Sequence, residues 1–447
     1  MSRTRLILFA RCAGLLVLSV ALSTAAHAYQ QPDLQGRWES NSIASGPGAP
    51  WWERVLATIS PSGSFTALTN DNSGGSGVVL GTLNLSPSGI VERTGVSTFR
   101  AALDQGTTVL AGTDTWSGVG AGTTELRVSL KMAPTYALSD IVGTWEINSL
   151  ASGPGAPWWQ RGRVAVAANG SFSGTFIDSD GFADPTAGTF ALSPSGILTY
   201  SGSATARGVL DVGKTVLAMT STWSGFAAGT VDLSVGVKVA ASYTLADLVG
   251  TWDVNGLATG PGAPWWTRSH ITIAADGSFT SSNTESNGGT FTTSGTFSIS
   301  PTGVITRSGS SSARGVLDAD KTVMVWTSLW STGSPGTTQM DVATKTGSVT
   351  LHVPRGDALG LALEPVRPNP TTRGTLHVAF TLASAAGARL ELFDVNGRRV
   401  AIRELGLLGA GQHAVVLTEA SRLRAGLYLM RLSQGEASRN RRIVVLE

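Results

Sequence analysis

The octapeptide SGPGAPWW occupies residues 45–52, returns unchanged at 152–159, and reappears as TGPGAPWW at 259–266. The copies start 107 residues apart, and a Gly-x-Trp motif keeps that spacing at Gly36, Gly143 and Gly250. Self-similarity at one fixed period identifies tandem structural repeats. The sequence therefore predicts three copies of one folding unit, over residues 29–137, 138–244 and 245–351.

Each unit has the pattern of a β-meander. In the second copy, eight short segments rich in Val, Ile, Thr, Phe and Trp alternate with turns such as Ala168-Asn169-Gly170 and Ser193-Pro194-Ser195-Gly196. Eight strands joined by hairpins must protect their edges, and a closed up-and-down barrel does so. The all-β prediction is three eight-stranded barrels. The alternative is a six-bladed β-propeller, in which each unit forms two four-stranded blades.

A Gly-x-Trp at the start of the first strand resembles the lipocalin (calycin) signature. In that family the tryptophan closes one end of the barrel beneath an arginine. The resemblance implies lipocalin-like barrels in which structural roles fall to Trp38, Trp145 and Trp252 and to Arg100, Arg207 and Arg314.

Composition narrows the possible classes of protein. Only 14% of the 447 residues are charged, 55 are glycine, and the formal net charge is +2. These values argue against helical bundles, coiled coils and nucleic-acid binding. Arg3 and Arg5, an apolar stretch and Ala26-His27-Ala28 predict a signal peptide over residues 1–28, cleaved before Tyr29. The single cysteine, Cys12, lies within it, so we expect a mature chain with no disulfide. We also expect no transmembrane segment in the mature chain.

The C-terminal region differs in charge from the repeats. Residues 352–447 hold 13 arginines and 8 acidic residues, whereas residues 29–351 hold 16 basic and 22 acidic residues. A proline-containing linker over 352–370 precedes a predicted β-sandwich over 371–447. This module resembles the type IX secretion sorting domain and the immunoglobulin-like module of flagellar hook-capping proteins, on motifs that include Pro368, Asn369, Pro370, Asp394, Gly397, Arg398, Gly426 and Tyr428. The resemblance implies recognition by a secretion apparatus and a secreted or outer-surface location.

The tryptophan pairs are the candidate ligand sites. Adjacent strand residues point to opposite faces, so one indole of each pair is expected to face inward and the other outward. Exposed indoles make stacking platforms for sugars, and an arginine follows each pair. The candidate residues are Trp51, Trp52, Arg54, Trp158, Trp159, Arg161, Trp265, Trp266 and Arg268. In the alternative interpretation, the indoles plug a barrel end or pack between neighbouring repeats.

Residue types give little support to catalysis. Glu146 and Asp211, with their equivalents, invite a paired-carboxylate glycosidase hypothesis. Only His270 lies in the repeats, so no triad or histidine zinc site is repeated in every unit. We expect a non-catalytic protein without cofactor or metal that binds an extracellular ligand such as a polysaccharide. The alternatives are a structural or adhesive surface component and an extracellular glycoside hydrolase.

Overall fold

The computed structural model describes most of the chain after the predicted signal peptide. The described residues are 28–118, 120–331, 333–347, 361–363, 376–382, 387–406, 411–417, 423–435 and 437–446. Residues 1–27 of the predicted signal peptide, most of the predicted linker, and Pro368, Asn369 and Pro370 lie outside them. The chain divides into two compact units, the first ending at Leu351 and the second beginning at His352.

The first unit contains three closed eight-stranded antiparallel barrels. Barrel 1 comprises β1 (Gly36–Ser45), β2 (Trp52–Ile59), β3 (Ser64–Asp71), β4 (Ser76–Leu85), β5 (Ile90–Arg93), β6 (Val96–Leu103), β7 (Val109–Thr115) and β8 (Thr124–Lys131). Barrel 2 comprises β9 (Gly143–Ser152), β10 (Trp159–Val166), β11 (Ser171–Asp178), β12 (Ala183–Leu192), β13 (Ile197–Tyr200), β14 (Arg207–Leu210), β15 (Val216–Thr222) and β16 (Val231–Lys238). Barrel 3 comprises β17 (Gly250–Thr259), β18 (Trp265–Ile273), β19 (Ser278–Glu285), β20 (Thr290–Ile299), β21 (Val304–Arg307), β22 (Arg314–Leu317), β23 (Val323–Leu329) and β24 (Thr338–Gly347).

Each barrel closes through its first strand. In barrel 1, Trp38 of β1 is paired with Ala57 of β2 on one side and with Lys131 of β8 on the other. The same arrangement joins β9 to β10 and β16, and β17 to β18 and β24. Closure leaves no strand edge of the barrels unpaired, so the edges of the meander are protected as expected. The barrel prediction is confirmed and the propeller alternative is wrong.

The three barrels pack around a common apolar cluster. Strand β1 is buried on both faces from Trp38 to Ser45, because one face lines its own barrel and the other faces the neighbouring barrels. Ile43, Leu150 and Leu257, which occupy one repeat position, all belong to this cluster. The cluster draws side chains from every barrel and joins the three barrels, each of which also has an apolar core of its own.

The proline-glycine loops interlock beside this cluster. Residues from all three loops line one small cavity of about 270 Å³. Gly46 has φ +123°, and a Cβ there would lie 2.8 Å from Pro264 Cγ of barrel 3. Gly153 meets Pro50 and Gly260 meets Pro157 in the same way. Each loop therefore touches the next in a cycle, and the barrels form a closed ring about a pseudo-threefold axis.

Short 3-10 helices cap one end of each barrel. They span Gln31–Leu34, Leu138–Ile141 and Leu245–Asp247, and a further one spans Gly225–Ala227. Beneath the three capping helices lie Trp38, Trp145 and Trp252, at most 2% exposed, whose Nε1 atoms donate to the carbonyls of Leu34, Ile141 and Leu248. The signature tryptophans thus lie at one closed end of each barrel.

The second unit contains two sheets over one core. Its strands are β25 (Ala362–Leu363), β26 (Leu376–Leu382), β27 (Ala388–Asp394), β28 (Arg399–Gly406), β29 (Gly411–Leu417), β30 (Gly426–Gln434) and β31 (Ala437–Val445). One sheet has the order β25-β26-β29 and the other β28-β27-β30-β31. Phe380 of the first sheet and Leu390 and Met430 of the second share the apolar core. No helix among the described residues is long and apolar enough to cross a membrane.

Candidate functional site

The second tryptophan and the arginine of each loop form a clasp between barrels. The guanidinium carbon of Arg54 lies 3.9 Å from the centroid of the Trp52 ring. Arg54 Nε donates to Thr220 Oγ1 of barrel 2 at 2.9 Å. Its Nη2 donates to the carbonyls of Thr205 and Thr220, both at 2.8 Å. Arg54 is 8% exposed. The arginine therefore joins barrel 1 to barrel 2 with three charge-assisted hydrogen bonds.

The same clasp occurs at the other two joints. Arg161 of barrel 2 lies 3.8 Å from the Trp159 ring and binds Thr327 and the Ser312 carbonyl of barrel 3. Arg268 of barrel 3 lies 3.9 Å from the Trp266 ring and binds Thr113 and the Thr98 carbonyl of barrel 1. The direction of donation runs from barrel 1 to 2, from 2 to 3 and from 3 to 1, and this cycle closes the ring.

Burial sets the electrostatics of the clasps. Desolvation lowers the pKa of Arg54 and of Arg268 to about 10, and that of Arg161 to about 9. Each arginine still carries its charge at neutral pH. The indole of Trp52 donates to Thr222 and that of Trp266 to Thr115, whereas the Trp159 indole has no partner because Leu329 stands at the equivalent position. These six side chains pack between repeats and offer no open face to an external ligand.

The first tryptophan of each pair lies at the open end of its barrel. Trp51 packs edge-on against Trp116, with ring centroids 5.1 Å apart. Trp158 pairs with Trp223 at 5.0 Å and Trp265 with Trp330 at 5.5 Å. Trp116 is 40% exposed. The structure therefore brings together at each mouth one indole of the loop and one indole from the hairpin before the last strand, a partner that sequence reasoning had not assigned to the site.

The arginines implied by the lipocalin resemblance occupy other places. Arg207 of barrel 2 forms an ion pair of 2.6 Å with Glu39 of barrel 1, and Arg100 and Arg314 approach Asp253 and Glu146 of neighbouring barrels at 3.9 and 4.0 Å. The cation over each closing indole is instead a lysine: Lys131, Lys238 or Lys345 lies 5.3–5.6 Å from the ring. The expected Arg-over-Trp contact is corrected, because these arginines pair with buried acids across the joints.

Two barrels contain sizeable cavities. The cavity of barrel 1 measures about 420 Å³ and that of barrel 2 about 540 Å³, and both reach the tryptophan mouth at Trp116 or Trp223. Barrel 1 holds a buried ion cluster in which Arg127 binds Glu53 at 2.7 Å and Glu125 at 2.5 Å. Trp116 Nε1 donates to Glu125, which ties the mouth to this cluster.

A buried aspartate stabilises the same turn in each barrel. Asp104 accepts from the backbone N–H groups of Gly106, Thr108 and Val109, and Asp211 and Asp318 do the same in their turns. Desolvation raises the pKa of Asp211 to about 6 and that of Asp318 to about 7. Among the described residues, no group of three or more histidine, cysteine or acidic side chains is placed to hold a metal ion.

The described part of the sorting motif forms turns and strand ends. Asp394 Oδ1 accepts from the N–H groups of Asn396 and Arg398, and Gly397 supplies φ +76° in this turn. Arg398 also pairs with Asp394 at 3.3 Å. Gly426 begins β30, and the Tyr428 hydroxyl donates to the Arg424 carbonyl. The motif residues that are described thus shape the hairpins of the second sheet.

Comparison with known proteins identifies the C-terminal module. The family model of the secretion system C-terminal sorting domain matches residues 366–446. This match confirms the type IX sorting domain expected from the sequence motifs. The chain is therefore exported to the secreted or outer cell-surface compartment. No match was found among the curated proteins.

Solved structures resemble the chain only distantly. A protein of unknown function from a DUF3598 family of Nostoc punctiforme is 8% identical, with 71% of this chain and 99% of that chain covered and a TM-score of 0.19. Transferrin binding protein B from Neisseria meningitidis is 8% identical, with 69% and 75% covered and a TM-score of 0.22. A tetra-tandem repeat from a large adhesion protein is 14% identical, with 91% and 99% covered and a TM-score of 0.16. At these scores the likeness carries no inference about function.

Proposed function

We propose that the protein is an exported, non-catalytic binding protein that presents three tryptophan mouths to an extracellular polysaccharide. The half-exposed indole pairs carry the proposal. Trp51 with Trp116, and the two equivalent pairs, each place two large aromatic faces at a barrel opening. Aromatic side chains combine a large apolar contact area with one polar N–H group, which suits the apolar faces and hydroxyl groups of sugars.

The ring geometry favours a polymeric ligand. The clasps hold the three mouths in one fixed arrangement within the first unit. Weak binding at each mouth is then strengthened by the high effective concentration of the next sugar segment. A single short oligosaccharide gains nothing from this arrangement, so affinity for a long chain is expected to exceed that for its oligomer.

Tryptophan fluorescence of the full secreted chain tests this proposal. We expect acrylamide to quench the mouth indoles, and one of the soluble polysaccharides β-1,3-glucan, xylan, pectin or alginate to suppress that quenching. The triple variant Trp116→Ala, Trp223→Ala, Trp330→Ala should then weaken binding at least tenfold, which is a loss of about 1.4 kcal/mol in binding free energy. Leu80→Ala, on the exposed outer wall of barrel 1, is the matched control and should bind normally.

A structural or adhesive surface role is the second candidate. Its support is the burial of Trp52, Trp159 and Trp266 in the joints, where their arginines bind the neighbouring barrel and stabilise the ring. If no polysaccharide changes the quenching and the triple variant behaves like the parent, the binding proposal fails and this role takes its place.

A further inference from the structure

The interior of barrel 2 differs chemically from the other two barrel interiors. Aromatic side chains form much of the wall of its 540 Å³ cavity: Phe172, Phe176, Phe190, Tyr200 and Trp223. The rim includes Gly202, Ala204 and Ser224, which are exposed, so the cavity opens to solvent. Its volume is in the range of small-molecule sites, roughly 300–1,000 Å³.

One buried carboxylate faces this aromatic cavity. Asp232 is 7% exposed and lines the cavity beside Ser221 and Ser234, whose hydroxyls donate to it. The other charged residue in the lining is Asp184, at the exposed rim, and no lysine, arginine or histidine is among the described residues that line this cavity. Arg54 lies outside the wall, where its guanidinium is engaged with Thr220 and Thr205. Arg54 therefore acts on Asp232 only from a distance and forms no ion pair with it. A buried carboxylate without a direct ionic partner is costly, and a cation inside the cavity would lower that cost.

The same two repeat positions carry different groups in the other barrels. In barrel 1, position 234 is replaced by Arg127, which places a cation in the cavity wall and pairs with Glu125. In barrel 3, position 232 is replaced by Gln339, which donates to Asp341 at 2.7 Å. Trp326 occupies the interior where barrel 2 has Met219. Barrel 2 therefore combines open space, aromatic walls and a buried carboxylate that forms no ion pair with a described residue, and these features do not occur together in its two sister barrels.

The same substitution weakens the indole contact in barrel 2. In barrels 1 and 3 the mouth indole donates to Glu125 or Gln339, both at 3.0 Å. Asp232 has one methylene fewer: the buried Nε1 of Trp223 still lowers the pKa of this carboxylate, but the contact does not meet hydrogen-bond geometry. The carboxylate of barrel 2 is therefore held less tightly by its mouth indole than the groups at the same position in barrels 1 and 3.

We propose that barrel 2 binds a small organic cation, with its ammonium group at Asp232 and its apolar body against the aromatic wall. Cation–π attraction from the surrounding rings adds to the ion pair, by about 0.5–2 kcal/mol. Desolvation raises the pKa of Asp232 to about 6, and a bound ammonium group favours the ionised carboxylate. The site is independent of polysaccharide binding at the mouths, apart from the shared Trp223.

Isothermal titration calorimetry of the full chain with matched probes tests the proposal. The probes are phenethylammonium, 2-phenylethanol and phenylacetate, which are similar in size and carry a positive, zero and negative charge. We expect phenethylammonium to bind at least tenfold more tightly than the other two. Equal binding of the three probes would overturn the proposal, whatever the behaviour of any variant.

Variants locate the binding in barrel 2. Asp232→Asn should remove the preference for the cation, and Ser234→Arg should block it by installing the internal arginine of barrel 1. Glu125→Gln is the matched control at the same repeat position, where barrel 3 already carries glutamine, and it should leave the affinity unchanged. An unchanged affinity in Ser234→Arg, or an equal loss in Glu125→Gln, contradicts the assignment. Asp232→Asn should also leave polysaccharide binding intact, which separates this proposal from the preceding one.

Discussion

The joints between barrels and the interiors of barrels follow opposite rules. At every joint, an arginine lies over its own tryptophan and binds a threonine and a carbonyl of the next barrel, with ring distances of 3.8–3.9 Å. Inside the barrels, one inward-facing position holds Gly112, Met219 or Trp326, and another holds Arg127, Ser234 or Asp341. The same duplication has thus kept the joints alike while the interiors have changed in size and charge.

Ring closure explains the difference. Each barrel must present a clasp to one neighbour and a receiving threonine to the other, so a change at one joint leaves a buried cation or carbonyl without a partner. An interior has to satisfy only its own packing, and cross-strand neighbours can compensate for each other. The three interiors can therefore differ in chemistry while the mouths keep a fixed arrangement.

The largest effect is expected from breaking a clasp. Arg161→Ala leaves the Thr327 and Ser312 carbonyls without their buried donor and uncovers Trp159, and it should lower the free energy of unfolding by about 3 kcal/mol. Arg161→Lys keeps the charge but loses the planar fork, so an intermediate loss is expected. Urea unfolding followed by tryptophan fluorescence measures both.

Arg314→Ala provides the control for this experiment. Arg314 is 38% exposed and approaches Glu146 at 4.0 Å, so its removal should cost less than about 1 kcal/mol. If the two alanine variants are equally stable, the joints are no more constrained than a half-exposed ion pair.

A smaller effect is expected from exchanging interiors. Gly112 faces Ala101 across the strands, whereas Met219 faces Gly208 and Trp326 faces Gly315. A Cβ on Gly112 would lie 2.5 Å from Ala101 Cβ, so Gly112→Trp should overpack barrel 1 and cost about 2 kcal/mol. The double variant Ala101→Gly, Gly112→Trp recreates the pair of barrel 3 and should recover most of that stability.

Met219→Trp is the companion test in barrel 2, where Gly208 already provides the space. It should change the unfolding free energy by less than about 1.5 kcal/mol. Failure of the double variant to recover stability in barrel 1, together with a large loss in barrel 2, would show that the interiors are as constrained as the joints.

The barrels and the sorting domain could be predicted from sequence because their signals are local. Turn residues and strand composition alternate along each repeat, and Asp394 to Arg398 shapes its turn through contacts within five residues. The joints required distant partners: Thr220 lies 166 residues from Arg54, and nothing near Arg54 in the chain indicates it. The choice between exposed and packed tryptophans therefore stayed open until the ring was seen.

The sequence also contains information on the barrel interiors. Because the repeats align without gaps, positions that change chemical class between copies stand out against an unchanged frame. Glu125, Asp232 and Gln339 occupy one such position, and Arg127, Ser234 and Asp341 another. Such variable positions indicate which residues face the interiors. The size of each cavity cannot be predicted in this way, because it depends on how cross-strand pairs such as Ala101 and Gly112 pack.

The smallest of the expected effects is a dependence of stability on pH. It arises from buried aspartates in turns, two of which lie close to the contact between barrels 2 and 3. Asp211 and Asp318 are buried in their turns, and Thr215 of barrel 2 donates to Asp320 in the turn of barrel 3. Desolvation raises the pKa of Asp211 to about 6 and that of Asp318 to about 7, above their unfolded values near 3.8. The folded chain therefore holds protons between about pH 4 and pH 7 that the unfolded chain has released, and stability falls as pH rises through this window.

The raised pKa of His270 acts in the same direction, and the carboxylates whose pKa is lowered, such as Asp140 and Asp247, titrate below this window. We expect the free energy of unfolding to be lower at pH 8 than at pH 6.5, by on the order of 1 kcal/mol. Urea titrations at the two pH values measure the difference, and Asp318→Asn should reduce it because the neutral amide does not titrate. A chain that is more stable at pH 8 would show instead that the turn hydrogen bonds, which favour the ionised form, outweigh the desolvation of these carboxylates.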